Sequence, residues 1–213
     1  MTAIQKWLTS LVGTTVVVAV SYEWLDRPIA LWARRQLVEN KTYSELTHIP
    51  DPLIPVAVII FVLVGLYVLS RLPLQKLLST ALLCSISVIV AETIKNWLKY
   101  VFGRTWPDTW IDNNPSFLHD GVYGFNFFHG GQGYASFPSG HTTVTCAVIS
   151  VLWMAYPKLW PLYVLAVLAV VIGLIGADYH FLSDIIAGGF LGTTVGWMLM
   201  AMWQTRQDVA ARR

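Results

Sequence analysis

Charged side chains are scarce in this sequence of 213 residues, at 12% of the chain, where a soluble domain carries about a quarter. The few that are present nearly cancel to a net charge of +2, and they form no basic run. Nucleic acid is therefore not expected as a partner. The sequence has only two cysteines, Cys84 and Cys146, both within apolar runs, so neither a disulfide framework nor a cysteine metal site is expected.

Apolar residues are abundant instead. They make up 55% of the chain, and the mean hydropathy is +0.57. Such a composition excludes disorder and disfavours a soluble globular protein. We expect an all-α, polytopic membrane protein in which residues 1–213 form a single membrane domain.

A helix that crosses a bilayer needs about 20 predominantly apolar residues. The sequence predicts six such helices, near Trp7–Tyr22, Leu53–Ser70, Leu77–Leu98, Thr142–Tyr156, Leu159–Ala177 and Ile185–Trp203. The first segment has no small-residue cleavage site, so we interpret it as a retained span and not as a signal peptide.

The connections between these spans alternate in length. Arg71–Gln75 and Pro157–Lys158 are short, whereas Glu23–Pro52 and Lys99–Pro138 are long. With six spans, both termini lie on the side of the short loops. Because the positive-inside rule gives most weight to basic residues in short loops, we expect cytoplasmic termini. The long loops would then lie on the periplasmic, extracytoplasmic face of an inner membrane.

Two parts of the long loops have a distinct composition. Asp26–Leu37 mixes apolar residues with arginines, which favours an interfacial helix, although an ordinary surface helix has the same pattern. Thr105–Phe137 is rich in aromatic residues and glycine. We interpret it as a long active-site loop that covers the site and touches lipid, and the alternative is an aromatic belt without a role in substrate binding.

Ionisable residues near membrane spans are costly and commonly functional. One group lies at the end of the third predicted span, where Lys95 and Lys99 are four residues apart and share a helix face beside Glu92 and Arg104. Two positive charges on one helix face repel each other unless an anion lies between them, so this spacing favours a bound anion. Lysines that reach toward the membrane surface would have the same spacing.

A second group is Ser139-Gly140-His141, which follows Pro138 and precedes an apolar run. This pattern predicts a helix start with Ser139 as the N-cap. Free amides at a helix start bind anions, and His141 would be placed to donate a proton. A capped helix with a histidine at the interface is an equally good interpretation of these residues alone.

A third group is His180 and Asp184, four residues apart at the entry to the last span. A carboxylate one helical turn from an imidazole can fix its tautomer and leave the other nitrogen free as a nucleophile. A helix pair without chemistry remains the alternative. Together the three groups supply a nucleophile, an acid and positive charge, which are the parts that phosphoryl transfer through a phospho-histidine needs.

Pro138-Ser139-Gly140-His141 and the later His180-Phe181-Leu182-Ser183-Asp184 resemble the motifs of the type 2 phosphatidic acid phosphatase superfamily. This family contains integral membrane lipid phosphatases and is related to vanadium haloperoxidases. The resemblance implies a phosphatase-like core at about 77–203. It implies no metal and no other cofactor.

The resemblance also implies roles for individual residues. His180 would be the nucleophile, Asp184 would orient it, and His141 would protonate the leaving alkoxide. Ser139 and the Gly140 amide would bind the phosphate together with Lys99, which matches the lysine of the family's first motif.

Two arginines of the family pattern are missing. Trp106-Pro107 stands where the first motif has Arg-Pro, and Gly173-Leu174 stands where the third motif has Ser-Arg. An arginine binds phosphate by paired hydrogen bonds as well as by charge, so its loss needs a replacement. We expect Arg104 to replace the first of them in phosphate binding, with Lys95 as the next candidate.

These patterns predict a lipid phosphate or diphosphate phosphatase that works through a phospho-histidine. The substrate would be a lipid phosphate within the bilayer, and the oligomeric state is open. Three alternatives remain: a phosphotransferase that uses the same intermediate, a non-catalytic binder or transporter of anionic lipid, and a phosphatase for soluble phosphoesters.

Overall fold

A computed structural model describes residues 1–70, 75–110 and 113–211. Regular structure in these ranges is helical, apart from isolated bridges within the long loop, so the expected all-α class is confirmed. The helices are α1 (Ala3–Val20), α2 (Asp26–Gln36), α3 (Lys41–Thr47), α4 (Leu53–Leu69), α5 (Lys76–Phe102), α6 (Phe117–Asp120), α7 (Gly140–Ala155), α8 (Trp160–Gly176) and α9 (Leu182–Ala211).

Four helical stretches in the described part of the chain are long and apolar enough to cross a membrane: Ala3–Gln36, Lys76–Phe102, Pro157–Gly176 and Leu182–Val209. The protein is therefore membrane-integral. Helices α4 and α7, which we also predicted as spans, are apolar but have only 17 and 16 residues. The count of six spans stays a prediction. Residues 71–74 of the predicted short connection Arg71–Gln75 lie outside the described residues.

Helix α2 continues directly from α1 through a wider, π-helical turn at Ser21–Leu25. It buries Asp26, Ala30 and Ala33 and packs against α8 and α9. The predicted interfacial helix is thus the continuation of the first helix, and one of its faces belongs to the protein interior. Its depth in the membrane stays a prediction.

Helix α7 lies at the centre of the bundle, packed along α9 and α5. Val151 of α7 contacts Leu83 and Met200, and Ala147 is buried with Ala91 and Val195. Helix α1, by contrast, contains no buried residue. An apolar outer surface of this kind suits contact with lipid chains.

The long loop between α5 and α7 is folded against the end of α5. The Phe102 ring contacts Phe125, Phe127 and Phe137, with ring centroids 4.8–6.1 Å apart. The described part of the loop therefore forms a cover at the end of the bundle where α7 and α9 begin. Whether it touches lipid, as we expect, stays a prediction.

The contact between α7 and α9 requires glycine at position 192. A Cβ there would lie 2.1 Å from the backbone oxygen of Thr143, whereas a Cβ at Gly189 meets only the sulfur of Cys146, at 3.7 Å. We expect Gly192→Ala to lower the free energy of unfolding by about 3 kcal/mol, because backbone atoms cannot give way as side chains do. Thermal unfolding in detergent measures this loss. Gly189→Ala is the matched control, and an equal loss in both variants would contradict this packing.

Candidate active site

His180 lies in the turn just before α9 and is almost fully buried. Its Nδ1 is 3.4 Å from Oδ2 of Asp184, as the four-residue spacing predicted. The same carboxylate oxygen accepts hydrogen bonds from Ser136 Oγ at 2.6 Å and from the Phe181 amide at 3.1 Å. The Nδ1 contact is long, which is common for catalytic hydrogen bonds without substrate. With Nδ1 directed at Asp184, Nε2 is the nitrogen left for chemistry.

His141 lies in the first turn of α7 and faces His180, with 6.2 Å between ring centroids. Its Nε2 is 3.6 Å from Oδ1 of Asp51, whose other oxygen is 2.7 Å from Nδ1 of His48. Asp51 precedes α4 and was missed in the sequence, because the order of the chain says nothing about this contact. Burial and the charge of a protonated His180 lower the pKa of His141 to about 4, and the Asp51 carboxylate, which acts in the opposite direction, offsets this only in part.

A cavity of about 360 Å³, here called the reaction cavity, lies between these histidines and α5. Its lining includes His141, His180, Lys95, Lys99 and Gly140. The structure therefore brings together the three polar groups that lie far apart in the sequence. The roles of the individual residues stay predictions.

Lys95 lies against the start of α7. A Cβ at Gly140 would be only 3.3 Å from Nζ of Lys95, so glycine at this position lets the ammonium group approach the helix start. Positive charge and helix-start amides together favour an anion. This contact supports the predicted roles of Gly140 and Lys95 at the phosphate.

Ser139 is the N-cap residue of α7, as predicted, although its side chain makes no capping hydrogen bond. The hydroxyl is buried and has no hydrogen-bond partner among the described residues. An unpaired buried hydroxyl is costly. Ser139 does not line the reaction cavity, so its contact with a phosphate stays a prediction.

Arg104 does not line the reaction cavity, contrary to the expectation that it binds the phosphate. It is fully buried, and Nη1 donates to Oδ1 of Asp184 and to Ser183 Oγ. Nη2 donates to Oδ2 of Asp26 at 2.8 Å and to Tyr123 at 3.2 Å. The structure thus places Arg104 behind the carboxylate that orients His180.

Asp26 is a second site residue that the sequence analysis missed. It is 1% exposed and accepts hydrogen bonds from the backbone amide of Ser183 at 2.9 Å and from Tyr123 at 3.2 Å. We had placed it only in a predicted interfacial helix. The sequence offered one signal for a role of Asp26, since an acidic residue beside a membrane span is commonly functional. It could not show the partner, because Arg104 is 78 residues away.

Aromatic rings enclose the Arg104 guanidinium. Its Cζ lies 4.4 Å from the ring centroid of Phe181 and 5.1–5.3 Å from those of Tyr22, Tyr123 and Phe125. Burial acts to lower the pKa of Arg104, but Asp184 and Asp26 outweigh it and hold that pKa above its ordinary value. The guanidinium is therefore a permanent positive charge between two carboxylates.

Burial also lowers the pKa of His180 below its ordinary 6.5, although the hydrogen bond and charge of Asp184 act in the opposite direction. The nearby charges of Lys99 and Arg104 lower it further. At neutral pH the imidazole is thus neutral, as a nucleophile must be.

The positions of the two missing arginines have different surroundings. The Trp106 ring packs on His180 with centroids 5.0 Å apart, and Nζ of Lys99 lies 5.5 Å from the centroid of Trp106. Leu174 is fully buried in an apolar cluster with Val170 and Ile185. Trp106 therefore shapes the reaction cavity, whereas Leu174 supplies only packing.

Metal binding needs several converging ligands. In residues 1–70, 75–110 and 113–211, no group of three or more histidine, cysteine or acidic side chains is placed to hold a metal ion.

Comparison with known families identifies the class to which this site belongs. The model of the PAP2 superfamily matches residues 80–208, so the chain belongs to that superfamily. The resemblance inferred from the motifs is confirmed. The matched region contains the residues of the reaction cavity on α5, α7 and before α9.

Two relatives from the genus Rhizobium, both named lipid A 1-phosphatase, are similar to part of the chain. The protein of Rhizobium etli is 34% identical over 117 residues, which are 52% of this chain and 44% of the relative. That of Rhizobium johnstonii is 34% identical over 108 residues, 48% of this chain and 39% of the relative. The matches thus span less than half the length of either relative.

The fold is also similar to a solved structure, the transmembrane PAP2-type phosphatidylglycerolphosphate phosphatase from Bacillus subtilis. The TM-score is 0.54 at 19% identity, and the match covers 94% of this chain and 96% of the other. At this identity the likeness supports the fold alone.

The Arg104 contacts predict a large effect on stability. Arg104→Gln leaves Asp26 and Asp184 buried without a positive partner, which we expect to cost about 3–5 kcal/mol of unfolding free energy. Adding Asp26→Asn to this variant should restore part of the loss. Unfolding in detergent measures both changes. Arg34→Gln is the control, because it breaks a half-exposed ion pair with Asp108 and should cost under about 1 kcal/mol of unfolding free energy. An equal cost for Arg104→Gln and Arg34→Gln would contradict a stabilising role of Arg104 between the two buried carboxylates.

The lowered pKa of His180 predicts the acid side of the pH profile. Activity needs the neutral imidazole and falls as pH drops through the pKa of His180. Because that pKa lies below 6.5, half of the maximal kcat/KM should be reached below pH 6.5. Phosphate release measured from pH 4 to 8 checks this, and an acid limb centred above pH 6.5 would argue against His180 as the nucleophile.

Proposed function

We propose that this protein is a membrane phosphatase that removes a terminal phosphate from a lipid phosphate or diphosphate through a phospho-histidine. The observation that carries the proposal is the pairing of His141 and His180 across a cavity that Lys95 and Lys99 also line. One face of the cavity supplies a nucleophile, another supplies an acid, and the lysines supply charge for the phosphate oxygens.

In the first step, Nε2 of His180 attacks phosphorus while the bond from phosphorus to the leaving oxygen breaks. The bound phosphate adds its negative charge to that of Asp51 and favours the protonated form of His141. His141 then donates this proton to the leaving alkoxide, and the dephosphorylated lipid departs. Asp184 stabilises the positive charge that develops on the His180 ring, which carries its proton on Nδ1.

In the second step, water attacks phosphorus and the bond to Nε2 breaks. His141, now neutral, accepts the proton of this water, and inorganic phosphate leaves. The enzyme returns to its starting state, with His141 protonated and His180 neutral. No proton or electron has to come from another source.

The phosphate oxygens would be held by Lys95, Lys99, Ser139 and the amide of Gly140. Lys99 also contacts Trp106, which stands where the family has a phosphate-binding arginine. Two lysines and a free hydroxyl replace the charge and part of the hydrogen bonding of an arginine, but not its planar, paired geometry. Arg104 acts as a positioning residue for Asp184 in this scheme.

The lipid class of the substrate is a proposal as well. The chain is apolar and membrane-integral, and its relatives in Rhizobium are named for a lipid phosphate. We place the site on the extracytoplasmic face of the inner membrane, with both termini in the cytoplasm. Residues 1–213 would form one domain around a phosphatase-like core at about 77–203.

A direct test is phosphate release by the detergent-purified protein from a panel of lipid phosphates, without added metal. We expect His180→Ala to lower the rate at least about a thousandfold, because the nucleophile is lost. His119→Ala is the control, since His119 is a half-exposed histidine outside the reaction cavity that contacts Asp108.

Each result of this test has a distinct meaning. Release by His180→Ala at the wild-type rate would overturn the mechanism. Label that passes from the lipid to an added alcohol, with little free phosphate, would identify a phosphotransferase. Tight vanadate binding without release or transfer would identify a binder of anionic lipid.

A further inference from the structure

Asp51 is a carboxylate on the wall of the reaction cavity, close to the acid His141. Its Oδ1 is 3.6 Å from Nε2 of His141, which is too long for a direct hydrogen bond. Both side chains are partly exposed, so a small molecule in the cavity can reach them. One oxygen atom can lie within hydrogen-bond distance of both groups, as bridging waters do at such separations.

The two nitrogens of His141 differ in their access to the reaction cavity. Nδ1 is buried and has no hydrogen-bond partner among the described residues, whereas Nε2 is directed toward Asp51. Nε2 is therefore the nitrogen that exchanges a proton with the reacting molecules. The oxygen that takes or gives this proton lies beside Asp51 in both steps of the reaction. It is the leaving oxygen of the lipid in the first step and the attacking water in the second.

The segment between α3 and α4 holds the Asp51 side chain in a fixed orientation. Pro50 and Pro52 flank Asp51 and restrict the backbone, and the Asp51 amide donates to the backbone oxygen of His48 at 3.1 Å. Nδ1 of His48 lies 2.7 Å from Oδ2 of Asp51 and donates to it, because a carboxylate can only accept. His48 thus occupies Oδ2, and Oδ1 is left for the cavity.

Helix α3, which ends just before His48, packs on α8 at a position where the chain departs from the family pattern. Gly173 of α8 stands where the third motif has serine. A Cβ at Gly173 would lie 2.7 Å from Cβ of Leu46 and 3.0 Å from the backbone nitrogen of Thr47. A serine at this position would push α3 away from α8. The loss of the motif serine therefore allows α3 to carry His48 and Asp51 to the reaction cavity.

Water and an alcohol bring different numbers of hydrogens to the position beside Asp51. When water attacks phosphorus, one hydrogen passes to Nε2 of His141, and the electron pair of the breaking bond returns to Nε2 of His180. The second hydrogen stays on the new phosphate oxygen and can be donated to Oδ1 of Asp51. An alcohol has a single hydroxyl hydrogen, which must pass to His141. Oδ1 then faces a carbon chain without a donor, which is costly.

We propose that Asp51 selects water over alcohols as the acceptor of the phosphate on His180, with Oδ1 accepting the second hydrogen of the attacking water. Asp51 is then a specificity-determining residue that makes the site a hydrolase and not a phosphotransferase. His48 is a positioning residue that holds Asp51 in place. This inference rests on the proposed phospho-histidine mechanism and names what decides the fate of that intermediate.

The test measures how the phospho-enzyme divides its phosphate between water and an added alcohol. The detergent-purified protein is given the lipid of the panel above from which it releases phosphate fastest, radiolabelled at the terminal phosphate, together with glycerol at molar concentration. The readout is the ratio of labelled glycerol phosphate to labelled inorganic phosphate. Both products arise from the same intermediate, so this ratio depends neither on the rate of the first step nor on the folded fraction of a variant.

We expect Asp51→Asn to raise the ratio of transfer to hydrolysis about tenfold. His48 donates to the amide oxygen of the asparagine and so turns its NH₂ group, which cannot accept a hydrogen bond, toward the cavity. His48→Ala frees the Asp51 carboxylate and should raise the ratio by a smaller factor. Glu45→Gln, a change of an exposed acid on α3, is the matched control and should leave the ratio unchanged.

The outcomes separate this inference from the proposed function. An unchanged ratio in Asp51→Asn and His48→Ala, even with a lower overall rate, would show that Asp51 does not select the acceptor. Wild-type protein that transfers phosphate to glycerol in proportion to its molar share would also overturn the inference and leave the phospho-histidine in place. Wild-type protein that neither releases nor transfers phosphate would overturn the proposed function itself. His48→Ala keeps the test decisive if Asp51→Asn does not fold.

Discussion

The rest of the site depends on the buried contact between Arg104 and the two carboxylates Asp26 and Asp184. Removing three charges from water is costly, and mutual pairing together with hydrogen bonds makes such a group tolerable in an interior. Among the described residues only Nε of the Arg104 guanidinium nitrogens lacks a hydrogen-bond partner. Ser183 and Tyr123 supply further hydrogen bonds, and aromatic rings enclose the guanidinium. The contact joins α2, the long loop and the start of α9, which are the segments that must keep a fixed arrangement around His180.

This arrangement explains how a membrane protein can hold a reactive imidazole at the end of a bundle. Asp184 is used on both sides: Oδ1 accepts from Arg104, and Oδ2 faces Nδ1 of His180. The orientation of the His180 ring is therefore tied to a guanidinium that stays positively charged, because its carboxylate partners raise its pKa. Trp106 fixes the opposite side of the ring through its contacts with His180 and Lys99. At the position of the first missing motif arginine, Trp106 packs on His180, and the positive charge that lines the reaction cavity comes from Lys95 and Lys99 of α5.

Local sequence patterns predicted much of this structure, whereas the features that depend on contacts between distant residues were not predicted. Apolar runs predicted the helices, and the four-residue spacing predicted that Asp184 faces His180, because both depend on neighbours in the chain. The contacts of Arg104 were not predicted, because its partners Asp26 and Asp184 are 78 and 80 residues away in the sequence. Asp51 shows the same limit, since nothing in the order of residues predicts its contact with His141. An acid beside an apolar run was the available signal for Asp26.

The central claim is that the phosphate passes through His180 before it reaches water. Each displacement at phosphorus inverts its configuration, so two displacements give net retention and a single attack by water gives inversion. The most direct measurement is therefore the stereochemical course of hydrolysis of a lipid phosphate made chiral with oxygen isotopes and a sulfur substituent. Net retention is the result that the geometry of His180, His141 and Asp184 predicts. Net inversion would show that water attacks the lipid phosphate directly, and His180 would then not be the nucleophile.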